Sequence, residues 1–372
     1  MPGITLRNVT KRFGKFTAVD RLDLEIEDGG FVTLLGPSGC GKTTTLRMIA
    51  GLESPTEGEI LIDGKPVFSS EKGIDVSPDK RDVGFLFQNY ALWPHMTVER
   101  NIAFGLENLK WDKARIRARV DELLATLRIS EFGKRYPAEL SGGQQQRVAI
   151  ARTLATGPKV LFMDEPLSNL DAKLRTEMRA ELKRLHTETG STFVYVTHDQ
   201  LEAMTLSTRT CLMRDGLLQQ YAPPLEVYHD PANLFVADFV GSPTMNFIEG
   251  RGRNVNLDEI KVSAGGLDML FTPLSGSIAL RDGQEITLGL RPEYLRIGGG
   301  GKARARVYST LPSGMETIVK LEAGGLMLTS VVFGAIDFEV DQEVELGFEG
   351  ERCIVFDRAS GANLARGRLE VV

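Results

Sequence analysis

Three glycines, a lysine and a hydroxyl are gathered in Gly36-Pro37-Ser38-Gly39-Cys40-Gly41-Lys42-Thr43, with Thr44 directly behind. The glycines let successive backbone N–H groups point into one concavity, and the helix start behind them adds its positive dipole end to the same spot. That combination binds a polyphosphate. Lys42 would set a point charge on the outer phosphates, and the Thr43 hydroxyl would fill one coordination site of Mg²⁺. The apolar run Phe31 to Leu35 reads as a buried strand and Thr44 to Ala50 as a helix, which is the setting this spacing requires.

Other residues offer chemistry to such a site. Val160-Leu161-Phe162-Met163 reads as a buried strand delivering Asp164-Glu165 at its carboxyl end, where Asp164 can hold Mg²⁺ and Glu165 can polarise an attacking water. Gln88 closes the strand Val83 to Phe87, either as a plain strand end or as a residue that ligates Mg²⁺ or orients water. A further strand, Ser191 to Val196, ends at Thr197-His198-Asp199, so His198 falls on the ligand edge of an open α/β sheet. Ser141-Gly142-Gly143-Gln144 has the S-x-x-Q form of a capping box, and its two glycines leave bare N–H groups at a helix start, a second anion site. Phe13, in Lys11-Arg12-Phe13-Gly14, is either a core ring beside a turn or a ring that stacks on adenine.

The elements that must position these residues are read from periodicity. Ile4 to Val9 and Leu22 to Ile26 alternate like strands of an antiparallel start, and Gly58 to Gly64 reads as a strand ending in an Asp-Gly turn. From Val98 to Leu140 the spacing is helical, with Lys113, Arg115, Arg117 and Arg119 forming a basic face that is either solvated or turned to an anionic partner. Past Asn233 the chain becomes β-rich. Ile286 to Leu290, Ala303 to Tyr308, Thr317 to Leu321, Leu326 to Val332 and Glu343 to Phe348 suggest a small barrel, with Gly298 to Gly301 as a flexible turn.

A length of 372 residues points to two domains, and 42% hydrophobic with 25% charged residues is a globular composition. A formal charge of -6 argues against nucleic acid as the partner. No apolar stretch reaches the length of a membrane span, and Cys40, Cys211 and Cys353 have no metal or redox spacing. Cys40 reads as a small filler whose alkylation is expected to block nucleotide binding.

In order, Phe13, the phosphate loop, Gln88, Leu140 to Gln144, Val160 to Glu165, Ser168-Asn169-Leu170-Asp171 and His198 resemble the motif set of the ATP-binding-cassette ATPases. The resemblance implies that Phe13 stacks on adenine, Gln88 is the Q-loop, Ser141 to Gln144 the signature, Asp171 the D-loop and His198 the switch histidine. It further implies a head-to-tail homodimer in which the signature of one subunit closes over the ATP of the other. Phe87 to Met96, Thr197 to Met204 and Gly241 to Phe247 are similar to the ATPase subunits of bacterial sugar importers of the maltose-transporter type, as is Leu290-Arg291-Pro292-Glu293. Trp93, where Tyr or Phe is usual, and Ser207-Thr208-Arg209 are small departures away from the chemistry.

The expected fold is thus α/β: an ABC-ATPase cassette over 1–235, with a P-loop mixed sheet, an antiparallel N-terminal subdomain and a helical subdomain at about 89–157. An OB-like regulatory domain follows over 236–372. By the same resemblance the expected partners are two membrane permease subunits docking near Gln88 to Met96 and, indirectly, an extracytoplasmic solute-binding protein. The expected place is the cytoplasmic face of the membrane, peripherally bound. Importers of polyamine, iron, sulfate or glycerol phosphate share this architecture. A soluble cassette ATPase acting on ribosomes or DNA would be expected to carry two cassettes or a long coiled-coil insertion.

Overall fold

The computed structural model describes residues 3–256, 258–298, 302–348, 350 and 352–372, so part of the turn expected at Gly298 to Gly301 lies outside the described residues. The chain divides into two compact units, Met1–Pro224 and Leu225–Val372.

The first unit opens with β1 (Ile4–Phe13), β2 (Phe16–Ile26), β3 (Phe31–Leu35) and helix α1 (Lys42–Ala50). Next come β4 (Glu57–Ile62), β5 (Lys65–Ser69), β6 (Ile74–Asp75) and β7 (Val83–Leu86). Helices α2 (Val98–Asn108), α3 (Lys113–Thr126) and α4 (Gly142–Ala155) follow, and then β8 (Val160–Asp164), α5 (Ala172–Thr189), β9 (Thr192–Val196) and α6 (Gln200–Leu206). A hairpin of β10 (Arg209–Arg214) and β11 (Leu217–Ala222) ends the unit.

These strands form two sheets. One is antiparallel, ordered β2-β1-β4-β5-β6, and its β4–β5 turn places Asp63 and Gly64 at φ 53° and 69°, as the Asp-Gly pair foretells. The other is ordered β11-β10-β3-β9-β8-β7, parallel except for the β11 edge. Its central strands β3, β8 and β9 are buried at every residue because both faces are covered. Alternate residues serve separate cores: Phe31, Met163, Phe193 and Tyr195 pack with α2 to α5, whereas Val32, Leu34, Phe162 and Val194 pack with α1 and the antiparallel sheet. Each fully buried side chain of this size contributes about 1.5–3 kcal/mol.

All the parallel strands run the same way, so their carboxyl ends share one edge. The loops after β3, β7, β8 and β9 leave from it.

The second unit holds α7 (Pro224–His229) and α8 (Leu234–Phe239), then β12 (Asn246–Asn254), β13 (Ile260–Ala264), β14 (Leu267–Pro273), β15 (Gln284–Leu290) and β16 (Leu295–Ile297). It continues with β17 (Ala303–Pro312), β18 (Glu316–Ala323), β19 (Leu326–Phe333), β20 (Glu343–Phe348), β21 (Cys353–Asp357) and β22 (Asn363–Val371). The buried guanidinium of Arg291 ties the two helices to the strands of this unit. It donates to the carbonyls of Tyr228 and Ala237, at 2.9 and 3.1 Å, and to that of Val240.

The barrel differs from expectation. It closes as β12-β13-β14-β22-β21-β15, so of the five strands expected to build it only Ile286 to Leu290 takes part. The others form a separate sheet ordered β16-β20-β17-β18-β19. Barrel and sheet share one core, in which Ile248, Phe271 and Leu288 join Val307, Val319 and Leu346.

Candidate functional site

The phosphate loop leaves β3 at Gly36, whose φ of 148° belongs to glycine alone; a Cβ there would meet the Met213 carbonyl at 2.2 Å. Gly41 caps α1 in a left-handed conformation. Lys42 is only 5% exposed, and its ammonium donates to the carbonyls of Gly36 and Pro37 at 2.8 and 2.9 Å, which holds the charge at the loop itself. Cys40 is 1% exposed, and burial pushes its thiol up despite the nearby Lys42 charge. The filler reading holds, and native-state alkylation at Cys40 is hindered by that burial.

Beside the loop, Thr43 Oγ1 donates to Asp164 Oδ1 at 2.9 Å. A hydroxyl and a carboxylate therefore converge from α1 and the end of β8, and such a pair of hard oxygens suits Mg²⁺. Asp164, itself 5% exposed, also receives Arg47 Nη2 at 3.5 Å, a neighbour not foreseen from the sequence.

Glu165 follows in a left-handed conformation, φ 44°, rare for a side-chain-bearing residue. Its N–H donates to the Val196 carbonyl at 3.1 Å, carrying the β8–β9 pairing one step past the strand end. The turn brings its Oε2 to 3.3 Å from Nδ1 of His198. Gln88, exposed just beyond β7, donates to Ser168 Oγ at 3.4 Å, and Ser168 in turn donates to the Glu165 carbonyl at 2.9 Å. Asn169 Nδ2 donates to the Gln88 carbonyl at 3.2 Å. Gln88, Ser168, Glu165 and His198 thus form one connected set. Asp171 caps α5 by accepting from the Leu174 N–H at 2.9 Å.

Ser141 and Gln144 form the foreseen capping box, with Gln144 Oε1 accepting from the Ser141 N–H at 2.8 Å and Ser141 Oγ accepting in return at 3.4 Å. Gly143 packs closely on α5: a Cβ would meet the end of the Leu174 side chain at 2.3 Å, so that side chain would have to shift. Gly142 is exposed ahead of it. The capping hydrogen bonds of Ser141 and Gln144 run to each other, not to the phosphate loop.

Phe13 is 48% exposed at the β1–β2 turn, with Lys11 Nζ 4.7 Å from its ring, so it is not a core residue. The basic face of α3 is largely engaged within the unit. Arg115 lies 3.5 Å over Trp111, Arg119 donates to the carbonyls of Leu154 and Ala155 at 3.0 and 3.4 Å, and Arg117 faces Asp121 at 3.9 Å.

The segment after Gln88 is also built, through contacts the sequence did not reveal. Tyr90 and Ala91 have φ of 60° and 46°, and Arg152 of α4 donates to both their carbonyls, at 2.8 and 2.6 Å, while lying 4.7 Å over Trp93. Buried Asn101 of α2 accepts from the Trp93 N–H and donates to the Trp93, Met96 and Thr97 carbonyls. Such long-range ties leave no mark in local spacing.

The fold and the edge of the parallel sheet define an ATP-binding cassette. Residues 19–168 match the ABC transporter family, 241–295 the MalK OB fold domain and 288–356 the TOBE domain. The chain is 46% identical to the trehalose/maltose import ATP-binding protein MalK of Thermococcus litoralis, covering 97% of this chain and 99% of that protein. It is 50% identical to the spermidine/putrescine import ATP-binding protein PotA of Chromobacterium violaceum over 79% of each chain. Among solved structures, a dimeric ATP-binding cassette in a post-hydrolysis state with ADP and Pi superimposes at a TM-score of 0.52 with 36% identity, covering 59% of this chain and 98% of that one. The chain belongs to the ATP-binding subunits of ABC importers, and it binds and hydrolyses ATP.

Proposed function

We propose that this ATPase energises sugar uptake as a homodimer coupled to two membrane permease subunits. The observation that carries the solute class is the likeness to a trehalose/maltose import subunit across both units, together with the MalK OB fold match at 241–295. Polyamine uptake is the second reading, favoured by the 50% identity to a spermidine/putrescine import subunit. No described helix is long and apolar enough to cross a membrane. Peripheral attachment to the permeases at the cytoplasmic face would place the chain. The segment Gln88 to Met96, braced by Arg152 and Asn101, is the docking surface in this reading.

In hydrolysis Phe13 stacks on adenine, and the backbone N–H groups of the loop Gly36 to Thr44, Pro37 excepted, cradle the phosphates with Lys42 at their outer end. Mg²⁺, when bound by Thr43 and Asp164 with Gln88 close by, supplies positive charge to the phosphate oxygens. Glu165 takes the proton of the attacking water, and His198 holds Glu165 and the γ-phosphate in register. At the start of α4, with Gln144 closing the cap on the Ser141 N–H, Gly142 and Gly143 present N–H groups, Ser141 its hydroxyl, and the helix its positive dipole end to the ATP of a second subunit. Asp171 orders the loop beside that interface by capping α5. An extracytoplasmic binding protein would deliver the solute to the permeases.

Isolation of the Glu165→Gln chain with ATP from detergent-solubilised membranes of its own host tests the coupling. Recovery with two polytopic proteins, whose assembly then shows sugar-stimulated ATPase activity, is the expected result. Stimulation by polyamine instead would favour the second reading, and recovery with ribosomes alone would refute transport.

A further inference from the structure

The loop carrying His198 is held by groups that take no part in the chemistry. Glu202, in the first turn of α6 and 3% exposed, accepts on Oε2 from Tyr195 Oη and Thr197 Oγ1, both at 2.7 Å. Its Oε1 faces Nε of Arg175 at 3.9 Å. Arg175, in the first turns of α5, uses its fork in two further directions. Nη2 donates to the Leu170 carbonyl at 3.2 Å, and Nη1 to Asp199 Oδ2 at 3.4 Å. Asp199 closes the ring by donating its N–H to Thr197 Oγ1 at 2.9 Å.

Both neighbours of His198 are therefore pinned, Thr197 by Glu202 and Asp199 by Arg175, while the histidine side chain itself is 57% exposed. Packing leaves much of the ring open, so its place depends on the Glu165 contact and on the residues that flank it. Burying a carboxylate this deeply is costly even when it is satisfied, and burial raises the Glu202 pKa above the ordinary value. A costly group placed beside His198 suits a positioning role. Arg175 also reaches the other side of the site, because Leu170 belongs to the loop that ends at Asp171.

We propose that Arg175 and Glu202 are positioning residues for hydrolysis, a strut that sets His198 according to the place of the Leu170–Asp171 loop. This rests on the reading of His198 given above. When the loop is drawn into place, Arg175 carries that placement across α5 to Asp199 and Glu202, and His198 comes into line with Glu165. Neither residue touches the nucleotide.

The test is a cycle in the full-length chain. Arg175→Met keeps a helix former at a side chain already 32% exposed. It should lower kcat about tenfold or more, since small misplacements carry large rate costs, with KM for ATP within twofold. Arg175→Lys, which keeps charge without the fork, should not restore the rate. Thr197→Val removes the hydroxyl shared by Glu202 and Asp199 and should act likewise, so the idea does not hang on one variant. Glu202→Gln, whose amide oxygen still accepts both hydroxyls, should stay within about threefold, whereas Glu202→Leu should match Arg175→Met. In a His198→Ala background Arg175→Met should cost nothing more. A multiplied loss there, or wild-type kcat in both Arg175→Met and Thr197→Val, would overturn the strut. Wild-type kcat in His198→Ala alone would instead sink the reading of His198, and the strut with it.

Discussion

Oε2 of Glu165 stands 3.3 Å from Nδ1 of His198, a contact made by two residues that lie just past the ends of neighbouring parallel strands. The register sets it. Asp164 pairs with Val196, and the left-handed turn at Glu165 swings its carboxylate across the strand end toward the histidine. The side chains proposed as base and orienting group are thereby brought to the same strand edge by backbone pairing.

The proposed Mg²⁺ ligands lie at the same edge. Because Thr43 Oγ1 lies 2.9 Å from Asp164 Oδ1, Thr43→Val, which keeps the shape and removes the hydroxyl, should raise the Mg²⁺ concentration needed for half-maximal turnover about tenfold. Chelation with EDTA should stop hydrolysis, and added Mg²⁺ should restore it. A Mg²⁺ titration of ATPase activity reads both effects, and an unchanged midpoint in Thr43→Val would remove the hydroxyl from the ligand set.

Much of this edge was legible because its signals are local. The phosphate loop, the Ser141 capping box and the Asp63-Gly64 turn each declare themselves within a few residues. Arg175, Arg152 and Asn101 did not, since their partners lie on other elements and no spacing records them. The barrel was misread for a related reason. Alternation is the same in a closed barrel and an open sheet, and β16 to β20 lie in sequence between barrel strands β15 and β21.

The thiols give a pH test. Burial raises the pKa of Cys40 and Cys353 and pushes Cys211 up to about 12. The folded chain therefore keeps protons that the unfolded chain releases near pH 9, so stability should fall as pH rises above that value. Each thiol contributes up to about 1.4 kcal/mol per pH unit. At pH 8 a thiol reagent should label the native chain slowly and all three cysteines once the chain is unfolded. Fast native labelling of Cys211 would contradict its burial.

Ser141→Ala separates a cap from a ligand. Loss of the capping box should cost about 1 kcal/mol of stability in a denaturant melt. If the N-terminus of α4 also meets the nucleotide of a partner subunit, turnover should fall about tenfold or more while ATP binding to the monomer holds. A stability loss with full turnover would confine Ser141 to the helix.

The proposed mechanism has Glu165 as general base with His198 orienting it, and Glu165→Gln tests it most directly. ATPase rate and molecular mass in solution should be measured together, with and without ATP. The mechanism predicts a fall in turnover of about a hundredfold or more, retained ATP binding and a dimer that persists in ATP. Wild-type turnover by Glu165→Gln would contradict it.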